Sequence, residues 1–147
     1  MGILYTIGFT KKTAEDFFES LRKKKVDLLA DVRLNNTSQL AGFTKKKDLE
    51  YFLSLLGIKY EHWTHFAPTK DIRDKYHATA NWKDYECSYQ SLLKSRNILE
   101  QINVNQSLLR STSICLLCSE KTAEKCHRRI VAEMIADIVK DMEIVHL

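Results

Sequence analysis

The chain has 147 residues, of which 44% are hydrophobic and 29% are charged, and its formal net charge is +4. This length favours one domain, residues 1–147, that can bury a core without disulfides or metals. The composition excludes a disordered chain, and no apolar run approaches the roughly 18 residues of a membrane span. Mild basicity leaves binding of polyanions open, but a dedicated nucleic-acid-binding domain is usually more basic.

Cysteine usage bears on the compartment in which the protein works. The chain has four cysteines, and its start, MGILYTIGFTKK, lacks the basic region and cleavage site of a secretory signal. Free thiols in a reducing compartment are therefore expected. The predicted localisation is the cytoplasm, with no membrane association.

The first half of the chain alternates between strand and helix patterns. Residues 3–8 form a short apolar segment typical of a buried strand, and residues 13–25 have apolar positions at helical spacing. A second apolar strand is predicted at 26–33, followed by a polar loop at 35–43. Residues 48–57 are predicted as a helix that ends at a glycine.

The second half continues the alternation after an irregular stretch. Residues 64–81 are polar and are interpreted as a loop. Helices are predicted over 82–102, with a break, and over 123–141. The strands predicted in this half are residues 58–63, 112–119 and 143–147.

Alternating elements with continuously apolar strands are typical of a parallel sheet that is covered on both faces. We therefore expect an α/β fold, a three-layer α/β/α sandwich of Rossmann-like type with a mainly parallel sheet of four or five strands. The sequence contains no repeat or linker that would divide it.

Polar residues collect where the predicted strands end, and open α/β sheets bind ligands at that edge. The residues in question are Gly8, Thr10, Asp31, Arg33, Cys118 and Glu120. The last helix is expected to begin near Thr122, which places Cys126 and His127 in its first turns. A helix N-terminus attracts anions. Asp31 has a structural alternative, since it could simply pair with Arg33 or a loop amide.

The cysteines allow several interpretations. Cys115 and Cys118 form a C-x2-C pair that Cys126 and His127 could complete as a zinc site. The pair lies in an apolar strand, where positions 115 and 118 face opposite sides, so no metal site is predicted.

Cys126 is predicted to face the sheet, where a cysteine can be a small core residue. Alternatively, a thiol at a helix N-terminus near arginines has a lowered pKa and can act as a nucleophile or redox group with Cys118. His127 would then be a base or a hydrogen-bond donor, and Arg128 or Arg129 would hold phosphate or carboxylate.

Lysine clusters at 11–12, 23–25 and 45–47 are interpreted as solvated surface. The first and third flank the expected edge in sequence, and if they converge there they extend an anion-binding surface.

Four motifs together resemble a known family. They are YTIGFT at 5–10, DVRLNNTSQLAGF at 31–43, LLCSE with CHRRIVAEMI at 116–120 and 126–135, and IVHL at 144–147. In this order they resemble the bacterial and archaeal family called domain of unknown function 488. The resemblance implies a compact α/β domain whose shared polar residues gather at one edge. Carried over by matching motif, these residues are Gly8, Asp31, Arg33, Ser38, Cys118, Glu120, Cys126, His127 and Arg128. The chain departs from the family's usual TIGHS, having Phe9 where relatives have histidine, and lacks the proline that commonly follows DVR.

The leading hypothesis is an anion-accepting pocket for a phosphorylated small molecule or a nucleic-acid-related ligand, with no cofactor. Gly8, Thr10, Arg33, Ser38 and Arg128 are the predicted ligand-binding residues. The predicted catalytic residues are Asp31, Cys118, Glu120, Cys126 and His127. Two alternatives stay open, a non-enzymatic nucleic-acid-binding or accessory module and a thiol redox protein that uses Cys118 and Cys126. The sequence gives no indication of the oligomeric state.

Overall fold

The computed structural model describes residues 2–37 and 42–147. Its strands are β1 (Gly2–Gly8), β2 (Leu28–Asp31), β3 (Lys59–His62), β4 (Ile114–Cys118) and β5 (Met142–His146). Its helices are α1 (Ala14–Lys23), α2 (Lys46–Leu55), α3 (Lys70–Thr79), α4 (Trp82–Ser95), α5 (Ile98–Val104), α6 (Gln106–Ser111) and α7 (His127–Ile138). Within these ranges, no helix combines the length and the apolar character that crossing a membrane requires.

The five strands form one all-parallel sheet in the order β3-β2-β4-β1-β5. Strand β4 is inserted between β2 and β1, so the carboxyl ends of these three strands are adjacent. The register pairs Gly8 with Cys118 and Asp31 with Leu117. The prediction that the polar strand ends meet at one edge of the sheet is therefore confirmed.

Both faces of the sheet are covered, and each face has its own core. On one face, Phe17 and Leu21 of α1 and Leu49 of α2 pack on residues such as Ile7 and Cys115. The opposite core includes Leu116 and Cys118 of β4. It also takes in apolar residues of α4, α5 and α7: Tyr89, Leu93, Ile98, Ile130, Val131 and Ile135. Apolar side chains are needed on both faces, which explains why β1, β2 and β4 are continuously apolar and confirms the predicted three-layer sandwich.

The interpretation of residues 64–81 as irregular is wrong, because α3 lies within them. The Thr69 side chain accepts a hydrogen bond from the backbone N–H of Ile72 and caps the helix. No residue of α3 is fully buried, and only Ile72 and Tyr76 pack against the core, so the apolar stripe is too short to predict the helix from sequence. The short helix α6 was also missed.

The last helix begins later than predicted. Cys126 is the N-cap of α7, and the helix begins at His127, so the expectation of a start near Thr122 is wrong. The hydrophobic pattern of the sequence could not locate the start of the helix, because residues 119–126 are compatible with a helix. They form a loop because the buried Arg128 side chain donates to the Glu120 and Lys121 carbonyls.

Candidate functional site

A cavity of about 270 Å³ lies at the carboxyl ends of β2 and β4. Its lining residues come from the loops after these strands, from α3 and α4, and from the start of α7. This is the edge at which parallel α/β sheets place their ligands, next to the reversal of strand order.

Arg33, which lines the cavity, is held by a buried ion pair. Asp31 is fully buried and accepts from Arg33 Nε at 2.9 Å and from Nη2 at 2.8 Å, and Nη2 also donates to the Thr44 carbonyl at 2.8 Å. The guanidinium lies 5.4 Å from the Phe9 ring centroid. Its Nη1 is buried and has no hydrogen-bond partner among the described residues. The bidentate geometry fixes the cation while leaving one of its donor groups unused.

A polar network behind this pair was not predicted from the sequence. Tyr60 donates its hydroxyl proton to Asp31 Oδ2 at 2.6 Å and accepts from Asn36 Nδ2 at 3.0 Å. Burial and the neighbouring Asp31 carboxylate raise the pKa of Tyr60, so the phenol stays protonated. His62 Nε2 lies 2.7 Å from the Arg33 carbonyl oxygen. The alternation in 58–63 was the available signal, because it places Tyr60 and His62 on the same side of β3.

Arg128 is fully buried and lies behind the cavity, bound to the loop after β4. Nη1 donates to the Glu120 carbonyl at 2.6 Å, and Nη2 donates to the Lys121 carbonyl at 3.5 Å. Nε donates to Thr6 Oγ1 at 3.3 Å, and Nη1 lies 3.6 Å from the Cys126 sulfur. Its donors are therefore used to shape the loop 119–126.

Gly8 and Thr10 contact the same loop from β1. A Cβ at Gly8 would lie 1.6 Å from the Glu120 carbonyl oxygen, so only glycine fits. The Thr10 hydroxyl donates to the Ser119 carbonyl at 2.5 Å. Both residues position the loop next to the cavity.

Two thiols and an imidazole meet at the cavity wall. Cys118 Sγ lies 3.5 Å from His127 Nδ1, and the ligand atoms of Cys118, Cys126 and His127 all lie within 4.8 Å of one another. His127 Nε2 lies 2.7 Å from the Val32 carbonyl oxygen, to which it donates. Cys115 is buried in the core on the other face of the sheet, as its strand position predicts.

The three groups influence one another's protonation. A hydrogen bond from Cys126 lowers the pKa of Cys118 well below its usual value, and the charge of His127 adds to this. Burial by itself lowers the pKa of His127, but the charge and hydrogen bond of Cys118 together with the hydrogen bond to the Val32 carbonyl raise it overall. Burial raises the pKa of Cys126. These directions favour the charged form at Cys118 and at His127 and the neutral form at Cys126.

The side of the cavity facing α3 and α4 is cationic and aromatic. Arg73 and Tyr76 of α3 line it together with the stacked rings of Trp82 and Tyr85 of α4, whose centroids are 5.0 Å apart. A second cation of the lining, Lys125, comes from the loop before α7. Sequence reasoning missed Arg73 and Tyr76 because α3 was not predicted. The Thr69 cap and the aromatic residues at 76, 82 and 85 were the available signals.

The structure brings most of the sequence-predicted residues to one place. Those that line the cavity are Arg33, Cys118, Glu120, Cys126 and His127. Asp31 lies directly behind Arg33, while Gly8, Thr10 and Arg128 support the neighbouring loop. Ser38 falls outside the described residues. The roles assigned to all ten residues stay predictions.

Fold and site together define a Rossmann-like α/β/α domain with a cysteine–histidine cluster at the strand ends. A family described as "Domain of unknown function DUF488" matches residues 13–135 of this chain. The match covers most of the sequence, so the chain belongs to the DUF488 family, as its motifs predicted. No curated protein and no solved structure is similar enough to the chain to count as a match.

Proposed function

We propose that this protein binds a phosphate-bearing ligand, a mononucleotide, in the cavity at the strand ends. The observation that carries the proposal is the buried Arg33 guanidinium, whose Nη1 has no hydrogen-bond partner among the described residues. An unsatisfied buried donor costs about 1–3 kcal/mol. An anionic oxygen from a ligand would satisfy this donor in a charge-assisted hydrogen bond.

The charges that surround Arg33 support an anionic ligand. Arg73 and Lys125 add two further cations to the lining, whereas Glu120 is the one carboxylate among the described lining residues. Asp31 balances the charge of Arg33 in their buried pair, so the positive excess of the lining comes from Arg73 and Lys125 against Glu120. A small concave site with such an excess of positive charge attracts phosphate.

The aromatic side of the cavity supports a ligand that also carries a flat ring. Trp82 and Tyr85 stack with an interplanar angle of 20°, and Tyr76 lies 5.2 Å from Tyr85 between ring centroids. Aromatic side chains of this kind stack on nucleobases, contributing about 1–3 kcal/mol per base. The volume of about 270 Å³ is just below the roughly 300–1,000 Å³ of typical ligand pockets, which suits one nucleotide better than a strand.

Thermal unfolding and calorimetric titration of the full chain test the proposal. The compounds are nucleoside 5′-monophosphates, the matching nucleosides, ribose 5-phosphate and inorganic phosphate. A mononucleotide is expected to raise the melting temperature more than either of its parts, because ligand binding stabilises the native state by mass action.

Two variants locate the site, since each removes one cation without breaking the buried Asp31–Arg33 pair. Arg73→Gln and Lys125→Gln are each expected to weaken mononucleotide binding about tenfold or more, the equivalent of losing one charge-assisted hydrogen bond. Lys94→Gln is the matched control, because Lys94 is exposed on α4 and does not line the cavity.

Two results would contradict the proposal. One is the absence of stabilisation by any phosphorylated compound at millimolar concentration. The other is binding that neither cavity variant weakens. Oligonucleotide binding that falls steeply with salt and ignores both variants would favour the non-enzymatic nucleic-acid-binding alternative instead.

A further inference from the structure

We propose that Cys118, Cys126 and His127 form a zinc-binding site whose fourth coordination position faces the cavity. The inference concerns a different set of atoms from the nucleotide proposal and stands or falls without it. It also differs from the C-x2-C possibility in the sequence, since it leaves Cys115 out.

The spacing of the three ligand atoms supports a shared metal ion. Cys118 Sγ and His127 Nδ1 are 3.5 Å apart, and all three ligand atoms lie within 4.8 Å of one another. In a tetrahedral zinc site, Zn–S bonds of about 2.3 Å and Zn–N bonds of about 2.0–2.1 Å separate such a pair by about 3.6 Å. The same sulfur is 3.8 Å from Nε2. Because these two distances are nearly equal, the sulfur does not lie along the Nδ1 lone pair, and metal binding requires rotation of the Cys118 or the His127 side chain.

The neighbouring groups hold the ligands as metal sites usually do. The hydrogen bond from His127 Nε2 to the Val32 carbonyl at 2.7 Å leaves Nδ1 as the ligating nitrogen. Metal-ligating histidines typically donate their other ring N–H to a carbonyl or carboxylate in this way. Arg128 Nη1 lies 3.6 Å from the Cys126 sulfur and donates a hydrogen bond to it, so this ligand atom is also held from behind.

The position of the cluster determines the kind of site. Cys115 belongs to the opposite core and Cys87 is exposed, so neither cysteine joins the set. Among the residues that the structure describes, this is the only group of three or more histidine, cysteine or acidic side chains with metal-ligand spacing. All three residues line the cavity. Three protein ligands beside an open cavity are typical of zinc sites that keep one position for water or substrate.

Metal binding to the full chain tests the inference. Reduced, chelator-treated protein is given one equivalent of Zn²⁺ or Co²⁺, and retained metal is measured after gel filtration. The expected results are one zinc per chain and, with Co²⁺, a thiolate-to-cobalt charge-transfer band together with the intense visible bands of tetrahedral cobalt. Cys118→Ser and Cys126→Ser are each expected to lose both signals, and Cys87→Ser, the matched control, is expected to keep them.

Several results would overturn the inference. Wild-type protein that retains less than one tenth of an equivalent of zinc would do so, and so would a Co²⁺ spectrum without sulfur charge transfer. A Cys118–Cys126 disulfide that persists in reducing buffer would assign the thiols to redox chemistry instead. The cobalt spectrum of the wild-type chain shows whether thiolates bind the metal, even if a serine variant fails to fold.

Discussion

At the scale of single residues, the conformation of the loop after β4 depends on two buried residues, Arg128 and Gly8. The Arg128 guanidinium binds two loop carbonyls, and Gly8 allows the loop to approach β1. Neither residue lines the cavity. Both residues match the family motifs, but a motif match does not distinguish a residue that lines the cavity from one that holds the neighbouring loop in place.

Gly8→Ala is expected to destabilise the protein strongly. The new Cβ would lie 1.6 Å from the Glu120 carbonyl oxygen and 2.8 Å from Arg128 Nη1, so the loop has to move. Overpacking of this kind typically costs about 1–3 kcal/mol, and a clash with backbone belongs at the upper end. Urea unfolding measures the loss. Gly42→Ala is the control, because nothing lies within 4 Å of a Cβ there.

Asp31→Asn is expected to cost about 3–5 kcal/mol, because it leaves the buried Arg33 cation without its carboxylate. Equilibrium urea unfolding provides the measurement. Asp74→Asn breaks an exposed pair with Lys70 and should have little effect. If the two variants lost similar stability, the Asp31–Arg33 pair would not be the strong internal contact that its geometry indicates.

At the scale of elements, the strands could be predicted from the sequence, but helix α3, which lines one side of the cavity, could not. Strands buried on both faces must be apolar throughout, so β1, β2 and β4 stand out in the sequence. Helix α3 has no fully buried residue, and two apolar residues on its inner side, Ile72 and Tyr76, are too few to give a clear helical pattern in the sequence. The sequence therefore predicted the site residues at the ends of the strands, but it did not predict that Arg73 and Tyr76 of α3 line the cavity.

Ala80→Gly is expected to stabilise α3 by about 1 kcal/mol. Ala80 caps the C-terminus of α3 in the left-handed region at φ 54°, where a side chain is strained and glycine is not. Amide hydrogen exchange should show greater protection in residues 70–79. Ala78→Gly is the comparison, because the same exchange inside the helix should lower protection there.

At the scale of the whole molecule, the stability of the fold should depend on pH through its partly buried histidines. Burial, followed by the nearby Arg96 charge, lowers the pKa of His65 in the folded state. The unfolded chain then binds more protons below about pH 6.5, so stability present above that pH is lost as the pH falls toward the folded-state pKa.

His65→Gln is therefore expected to reduce the fall in the free energy of unfolding between pH 7 and pH 5. Urea denaturation at a series of pH values measures this slope. Comparison at pH 8 gives the packing cost of the substitution alone. An unchanged slope would mean that burial of His65 has no influence on its protonation.

The strand order has a consequence for how the chain folds while it is being synthesised. Strand β1 emerges first from the ribosome, yet its two neighbours, β4 and β5, come from residues 114–118 and 142–146. The backbone N–H and C=O groups of this apolar strand therefore stay unpaired until residues 114–146 have been synthesised. Such long-range pairing slows folding and exposes aggregation-prone strands in the meantime. A nascent chain halted before β4 should consequently need chaperone protection, and its release should coincide with closure of the sheet.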